Sequence, residues 1–273
     1  MEERRSNRTL WIILGTIVAL LALCGCLVLL GAAYLVITDR QVDIDEGGVG
    51  IGRVTDRIER TFNVGADPTL EIDNFAGSIT IRAGEPGVIH VVATRRAPGR
   101  SDLEDIDIRW DERDDGLGIT TRLPVARRLS NRSVSLDIQV PADTVLVVDN
   151  GAGEVLIEGI RGELDVHTGA GDVRAVGGLA GGSIDTGAGT VRYEGAPLED
   201  LRLQTGAGSI AIFLPPDANV DLDLSTGVGS VDVDDFEVIG DTSPRDVNGT
   251  IGAGGPTIEA HTGAGSIDVR ALR

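Results

Sequence analysis

Two rhythms of apolar and polar residues run along the chain. From Leu10 to Thr38 no residue is charged and nearly all are apolar, a run longer than the roughly 20 residues a helix needs to cross a bilayer core. From Ile58 onward the rhythm becomes alternation with period two. Leu70-Glu71-Ile72, Ile79-Thr80-Ile81 and Val134-Ser135-Leu136-Asp137-Ile138-Gln139-Val140 all follow it, which predicts strands with one buried face. Residues 39–57 between the two rhythms are acidic, glycine-rich and aperiodic, as expected of a flexible stalk. The stretches Arg95–Asp105 and Arg122–Asn131 read as loops, and no long amphipathic helix is legible outside the first run.

Arg4, Arg5 and Arg8 precede the apolar run, whereas Asp39, Asp43, Asp45 and Glu46 outnumber Arg40 after it. The positive-inside tendency then predicts one transmembrane helix over 10–38, residues 1–9 in the cytoplasm, and the rest of the chain outside the cell membrane. Trp11 and Tyr34 stand near its two ends, at headgroup level. A cleaved signal peptide, or a lipoprotein signal ending at Leu23-Cys24-Gly25-Cys26, would let the apolar run stop soon after the processing site. Instead it continues for another 12 residues to Thr38, which favours an uncleaved anchor.

Inside the alternating region a four-residue phrase returns. T-G-A-G brings the glycine pairs Gly169 and Gly171, Gly187 and Gly189, Gly206 and Gly208, and Gly263 and Gly265. One-letter variants bring Gly151 and Gly153 (N-G-A-G) and Gly227 and Gly229 (T-G-V-G). The first glycines are separated by 18, 18, 19, 21 and 36 residues; a worn copy, Asn248-Gly249-Thr250-Ile251, fills the last double interval. Asp73-Asn74-Phe75-Ala76-Gly77-Ser78-Ile79 resembles a divergent further copy. Glycine has a mechanical reason at a tight corner, where a positive φ is costly for any residue with a Cβ. Ala or Val between the glycines is small enough to let corners stack.

A single unit of this length buries too few side chains to stand alone, so neighbouring units must share a core. Matching positions carry matching residues. Val155, Val173, Val191, Ile210, Val231, Ile251 and Ile267 form one column, and Asn150, Thr168, Thr186, Thr205, Thr226 and Thr262 another. In a parallel β-solenoid each residue lies on its own copy about 4.8 Å away, and the winding is expected to be right-handed. Antiparallel hairpins turned at each corner are the alternative, raised by Asn150-Gly151, but they give no reason for one residue to recur at every turn. The expected organisation is all-β, with 58–148 capping the first coil and repeats over 149–273. The final strand, Ser266 to Arg273, would leave an open edge guarded by Asp268, Arg270 and Arg273.

The repeated T-G-A-G-x-[V/I], the strand Val134–Pro141, and Ile212-Phe213-Leu214-Pro215-Pro216-Asp217-Ala218-Asn219-Val220 together resemble a bacterial family of glycine-turn β-strand-repeat proteins that carry an adhesin label. The resemblance spans about residues 60–273. It implies a solenoid-like, extracytoplasmic or envelope-associated domain, in many members behind a membrane anchor, and it supplies no catalytic motif.

Composition narrows the chemistry. A formal charge of −19 and a pI near 4.4 exclude nucleic acid, whose binding rests on basic residues that neutralise phosphates. Both cysteines, Cys24 and Cys26, lie in the apolar run, so the rest has neither disulfide nor thiolate metal site. A calcium-binding β-roll needs a carboxylate two residues after its last glycine, and every copy here has Val or Ile there. Asp221, Asp223, Asp232, Asp234 and Asp235 read first as a solvated acidic face and second as a cation site. His167 and His261 share the position before T-G-A-G with Asp149, Asp185, Gln204 and Ser225. Stacking would place His167 between Asp149 and Asp185 on an outward ladder, an arrangement able to hold a metal or a proton-dependent contact but more simply a wet polar corner. Arg174 and Arg192 would stack likewise and could grip an anionic sugar or carboxylate, but read more simply as surface charge. Trp110, Tyr193, Phe213 and Phe236 are too scattered to define a sugar cleft.

The external part has no nucleophile elbow, H-E-x-x-H helix, phosphate loop or cysteine nucleophile, and no cofactor motif. The expectation is therefore a non-enzymatic, membrane-anchored protein that meets an envelope glycan or protein in adhesion, envelope interaction or sensing. A polysaccharide-active β-helix enzyme and a regulatory accessory of a membrane signalling system are the alternatives.

Overall fold

Alternation becomes strand almost everywhere in the computed structural model, which describes residues 53–124 and 131–272. The expected membrane span over 10–38, with Trp11, Tyr34, Cys24 and Cys26, lies outside the described residues. So do the expected cytoplasmic tail 1–9 and nearly all of the stalk. Among the described residues no helix is long and apolar enough to cross a membrane.

The N-terminal third holds β1 (Val54–Asn63), β2 (Thr69–Asn74), β3 (Ile79–Ala83), β4 (Val88–Ala97), the one-turn helix α1 (Arg100–Glu104), β5 (Asp107–Arg113), β6 (Gly116–Arg122) and β7 (Ser133–Val140). Then come β8 (Val145–Asn150), β9 (Val155–Glu158), β10 (Leu164–Thr168), β11 (Val173–Val176), β12 (Gly182–Ala188), β13 (Val191–Glu194), β14 (Leu201–Ala207) and β15 (Ile210–Leu214). The chain ends with β16 (Val220–Val228), β17 (Val231–Val233), β18 (Val238–Ser243), β19 (Asp246–Ile251), β20 (Thr257–Ala264) and β21 (Ile267–Ala271). β1 thus begins inside the segment assigned to the stalk. The stretch read as a loop over Arg95–Asp105 instead carries the end of β4 and α1, whose Leu103 is buried.

Two sheets face each other, ordered β1-β4-β7-β3-β9-β11-β13-β15-β21-β17 and β18-β19-β16-β20-β14-β12-β10-β8-β2-β6-β5. Each coil runs up a strand of the second sheet, turns at the glycine corner and continues along a strand of the first. Neighbouring coils pair in parallel from β2 and β3 through β20 and β21, as the solenoid reading requires. The inward faces supply one core. Ile79, Val155, Val173, Val191, Ile210, Ile267 and Val231 pair in succession, and all are buried. Tyr193 is fully buried at a position where the adjacent coil has Ala175, so a large side chain fills the room left by a small one.

Both ends depart from chain order. The coil built on β6 and β7 comes second in sequence but lies outside β2 and β3. At the other end the coil of β16 and β17 is outermost, and the last coil, β20 and β21, fills the place between it and β14 and β15. This corrects three expectations. The final strand is no open edge, because β21 pairs with β15 on one side and β17 on the other. Asn248-Gly249-Thr250-Ile251 is no corner, because it lies in β19, which runs antiparallel between β16 and β18. Ile251 therefore leaves the valine column and pairs with Val220 and Val238. The hairpin alternative holds only at the ends, in the antiparallel pairings of β1, β4 and β7, of β5 and β6, and of β16, β19 and β18. Of the four edge strands, β1, β17, β18 and β5, two are blunted: β17 has three residues, and β5 carries Arg109, Asp111 and Arg113.

Candidate functional site

The corner explains its own sequence. The second glycine has φ between +133° and +153° at Gly153, Gly171, Gly189, Gly208, Gly229 and Gly265, a region that side chains disfavour. Space forbids a side chain as well: a Cβ on Gly171 would lie 2.1 Å from the carbonyl oxygen of Gly153, and one on Gly208 2.0 Å from that of Gly189. The first glycine is nearly as tight, 2.5 Å from Gly169 O at Gly187 and 2.6 Å from Gly263 O at Gly227. Gly151, Gly206 and Gly263 follow the same rule. The middle residue does not pack between coils as its size suggested. Ala152, Ala170, Ala188, Ala207 and Ala264 face solvent, and Val228 is 67% exposed.

The threonine is the corner's polar fastening. Thr186 Oγ1 donates to Gly171 O at 3.1 Å, Thr205 Oγ1 to Gly189 O at 2.9 Å, Thr262 Oγ1 to Gly208 O at 2.8 Å and Thr226 Oγ1 to Gly265 O at 2.9 Å. Each buried hydroxyl thus satisfies the glycine carbonyl of the adjacent coil while the backbone ladder continues through the corner, for example Gly171 N to Ala188 O at 2.9 Å.

Beside the corner, on the outward face, the predicted ladder forms. Asp73, Asp149, His167, Asp185, Gln204, His261 and Ser225 pair in that order. His167 lies between Asp149 and Asp185, with rungs about 4.8 Å apart. Asp149, His167 and His261 are exposed, and His261 Nδ1 lies 3.0 Å from Ser225 Oγ. No group of three or more His, Cys, Asp or Glu side chains arranged to hold a metal occurs among the described residues.

A profile of one protein family matches residues 130–270, just over half of the chain. The chain belongs to the Toastrack DUF4097 family. Among solved structures, a "putative cell adhesion protein" from Clostridium sporogenes is 17% identical, with a TM-score of 0.50 over 80% of this Toastrack chain and 100% of that one. A "putative adhesin" from Bacteroides fragilis is 13% identical, with a TM-score of 0.31 over 80% of this chain and 97% of that one. The first likeness bears on fold alone. No curated protein matches.

The other candidates in the Toastrack chain are engaged internally. Arg174 and Arg192 do pair across β11 and β13, but both grip Glu194 Oε1, at 2.9 and 2.6 Å through their Nε atoms. Arg192, then burial working against it, then the charge of Arg174 leave the Glu194 carboxyl below the usual carboxylate range. Arg192 also lies 4.0 Å over the Phe213 ring, a cation–π contact. The sequence reading missed Glu194, although it stands two residues after Arg192 and so on the same face. The five aspartates divide. Asp221 takes the Thr250 hydroxyl at 2.7 Å in the second sheet, whereas Asp232 takes the Ser230 hydroxyl at 2.8 Å and Asp234 faces Arg270 at 3.6 Å in the first. Trp110 stacks on Phe62 at 5.7 Å and receives Arg60 at 5.1 Å, closing the N-terminal end rather than lining a cleft. The buried Tyr193 hydroxyl reaches Gly177 O at 3.3 Å, and burial raises its pKa.

Proposed function

We propose that this protein is a non-enzymatic display scaffold of the cell envelope, held at the membrane by residues 10–38 and presenting its solenoid outside the cell to a glycan or protein partner. One observation carries the reading. The residues that repeat from coil to coil, Gly, Thr and the aliphatic columns, are consumed by stacking, whereas the outward rungs differ from coil to coil as Asp149, His167, Asp185, Gln204 and His261. A rigid row of varied polar side chains at a fixed rise suits recognition of an extended partner with its own repeat. The cell-adhesion description of the Clostridium sporogenes structure points the same way.

The test is retention of envelope glycans and envelope proteins by the full chain, with wild type compared with the His167→Ala, Asp185→Ala double variant. Selective retention lost in the variant supports the reading; glycan cleavage by the purified chain, without selective retention, overturns it.

A further inference from the structure

In a chain with net charge −19, arginines are expected to find carboxylates, and most described ones do. Arg82 meets Glu158 at 2.9 Å, Arg161 meets Asp143 at 2.9 Å, Arg202 meets Glu259 at 2.6 Å, and Arg95 is paired with Asp56. Arg53 and Arg96 have no such partner among the described residues, yet they converge on one pocket of about 160 Å³. Among the described residues its lining is Arg53, Arg96, Asn131, Arg132 and Ser133, without a carboxylate.

Strand register assembles this lining. β1, β4 and β7 are antiparallel, so Thr55, Arg96 and Ser133 occupy one rung and project from the same face, with Arg53 just before the start of β1. Arg132 forms the back wall. Its guanidinium is almost fully buried and tied to Asp102 and, at 3.3 Å, to Asp105, so the wall is fixed. The other four lining residues carry guanidinium, hydroxyl and amide groups.

We propose that this pocket is an oxyanion site for a phosphate group, independent of the display reading above. Two guanidiniums without a carboxylate partner among the described residues, beside a hydroxyl and an amide, supply the donor types that phosphate oxygens accept, and arginine offers its donors in bidentate pairs. The volume is that of roughly five water molecules, enough for a phosphate group, and the pocket opens to solvent. The bound anion supplies the negative charge that Arg53 and Arg96 lack. The phosphate is either free or the headgroup of an anionic lipid; one chemistry serves both.

The full chain, purified in a zwitterionic detergent, is titrated with inorganic phosphate by calorimetry, then with dihexanoyl phosphatidylglycerol and dihexanoyl phosphatidylcholine as competitors. Saturable phosphate binding is expected, weakened at least tenfold in the Arg53→Gln, Arg96→Gln variant and unchanged in Arg245→Gln. Arg53 and Arg96 are exposed and unpartnered, so the variant keeps the wild-type melting temperature. Tighter competition by phosphatidylglycerol than by phosphate assigns the site to lipid headgroups; the reverse assigns it to free phosphate. Absence of saturable binding by phosphate and by phosphatidylglycerol, or binding undiminished in the double variant, overturns the proposal.

Discussion

At the corners of Thr186, Thr205, Thr226 and Thr262 the threonine hydroxyl donates to the glycine carbonyl of the adjacent coil; at the corners of Asn74 and Asn150 an amide stands in its place and makes more bonds. Asn150 Nδ2 donates to Gly77 O at 3.1 Å, as a threonine would, and also to Gly153 O at 3.3 Å. Asn74 Nδ2 donates to Val134 O at 3.2 Å and to Asn150 Oδ1 at 3.0 Å, while Asn74 Oδ1 accepts from Thr121 Oγ1 at 2.7 Å. The amides form a side-chain chain across the coils where chain order is exchanged, and only a group that both donates and accepts can continue it. The consequence falls on Thr168. Its counterpart acceptor, Gly153 O, accepts from Asn150, and its buried Oγ1 has no hydrogen-bond partner. One sequence column therefore contains satisfied threonines, two networked asparagines, and one threonine whose hydroxyl is idle.

The strongest way to break both kinds of corner is to add a single carbon to their shared glycine. Gly171→Ala should cost more than about 3 kcal/mol, since φ is +150° and the Cβ would meet Gly153 O at 2.1 Å. Gly65→Ala, whose nearest neighbour would lie at 3.9 Å, should change stability by less than about 0.5 kcal/mol. Chemical denaturation of the two variants checks the contrast, and equal effects would remove the steric reading of the corner. Next comes Asn150→Ala, which leaves Gly77 O unserved and removes one of the two acceptors of the Asn74 amide. About 2–4 kcal/mol is expected, with faster amide exchange in β2, β8 and β10.

Threonine against threonine is the sharper test. Thr205→Val should cost about 1–2 kcal/mol because it strips a partly buried carbonyl of its donor, whereas Thr168→Val should be neutral or slightly stabilising. In an Asn150→Thr background Gly153 O is freed, and Thr168 becomes a bonded threonine like the rest. Thr168→Val should then cost about 1 kcal/mol, a coupling that a double-mutant cycle reads directly. An additive cycle would show that the asparagine does not compete for that carbonyl.

Much of this was legible in the sequence, and the limits were physical. The corner glycines and the valine column could be found because parallel stacking puts like on like, so the constraint repeats at a fixed interval. The His167 ladder followed from the same register. The Asn248–Ile251 segment imitated a corner because its apolar residue fell in the right phase, and phase says nothing about strand direction. The exchanged order at the ends depends on the links around Pro215–Asn219 and Gly252–Pro256, which carry no repeated residue to mark which coil they join. Glu194 escaped because its meaning lies in the cross-strand neighbour Arg174 as much as in its own strand.

Glu194 also supplies the smallest contrast, between fastenings that titrate and fastenings that do not. Its folded pKa lies below that of an ordinary carboxyl, first because Arg192 hydrogen-bonds the ionised form. The stability it contributes is therefore complete above the unfolded value of about 4.3 and is lost as pH falls through the lower folded value. The arginines are about half exposed, so solvent screening holds the contribution to about 0.5 kcal/mol. Glu194→Gln should cost that much at pH 7 and progressively less as pH drops below 4, by denaturation midpoints across the range. The Thr205→Val deficit should stay constant over the same interval, because a hydroxyl bonded to a carbonyl has no proton to gain there. If the two deficits faded together, acid would be loosening the corners themselves rather than releasing one outward ion pair.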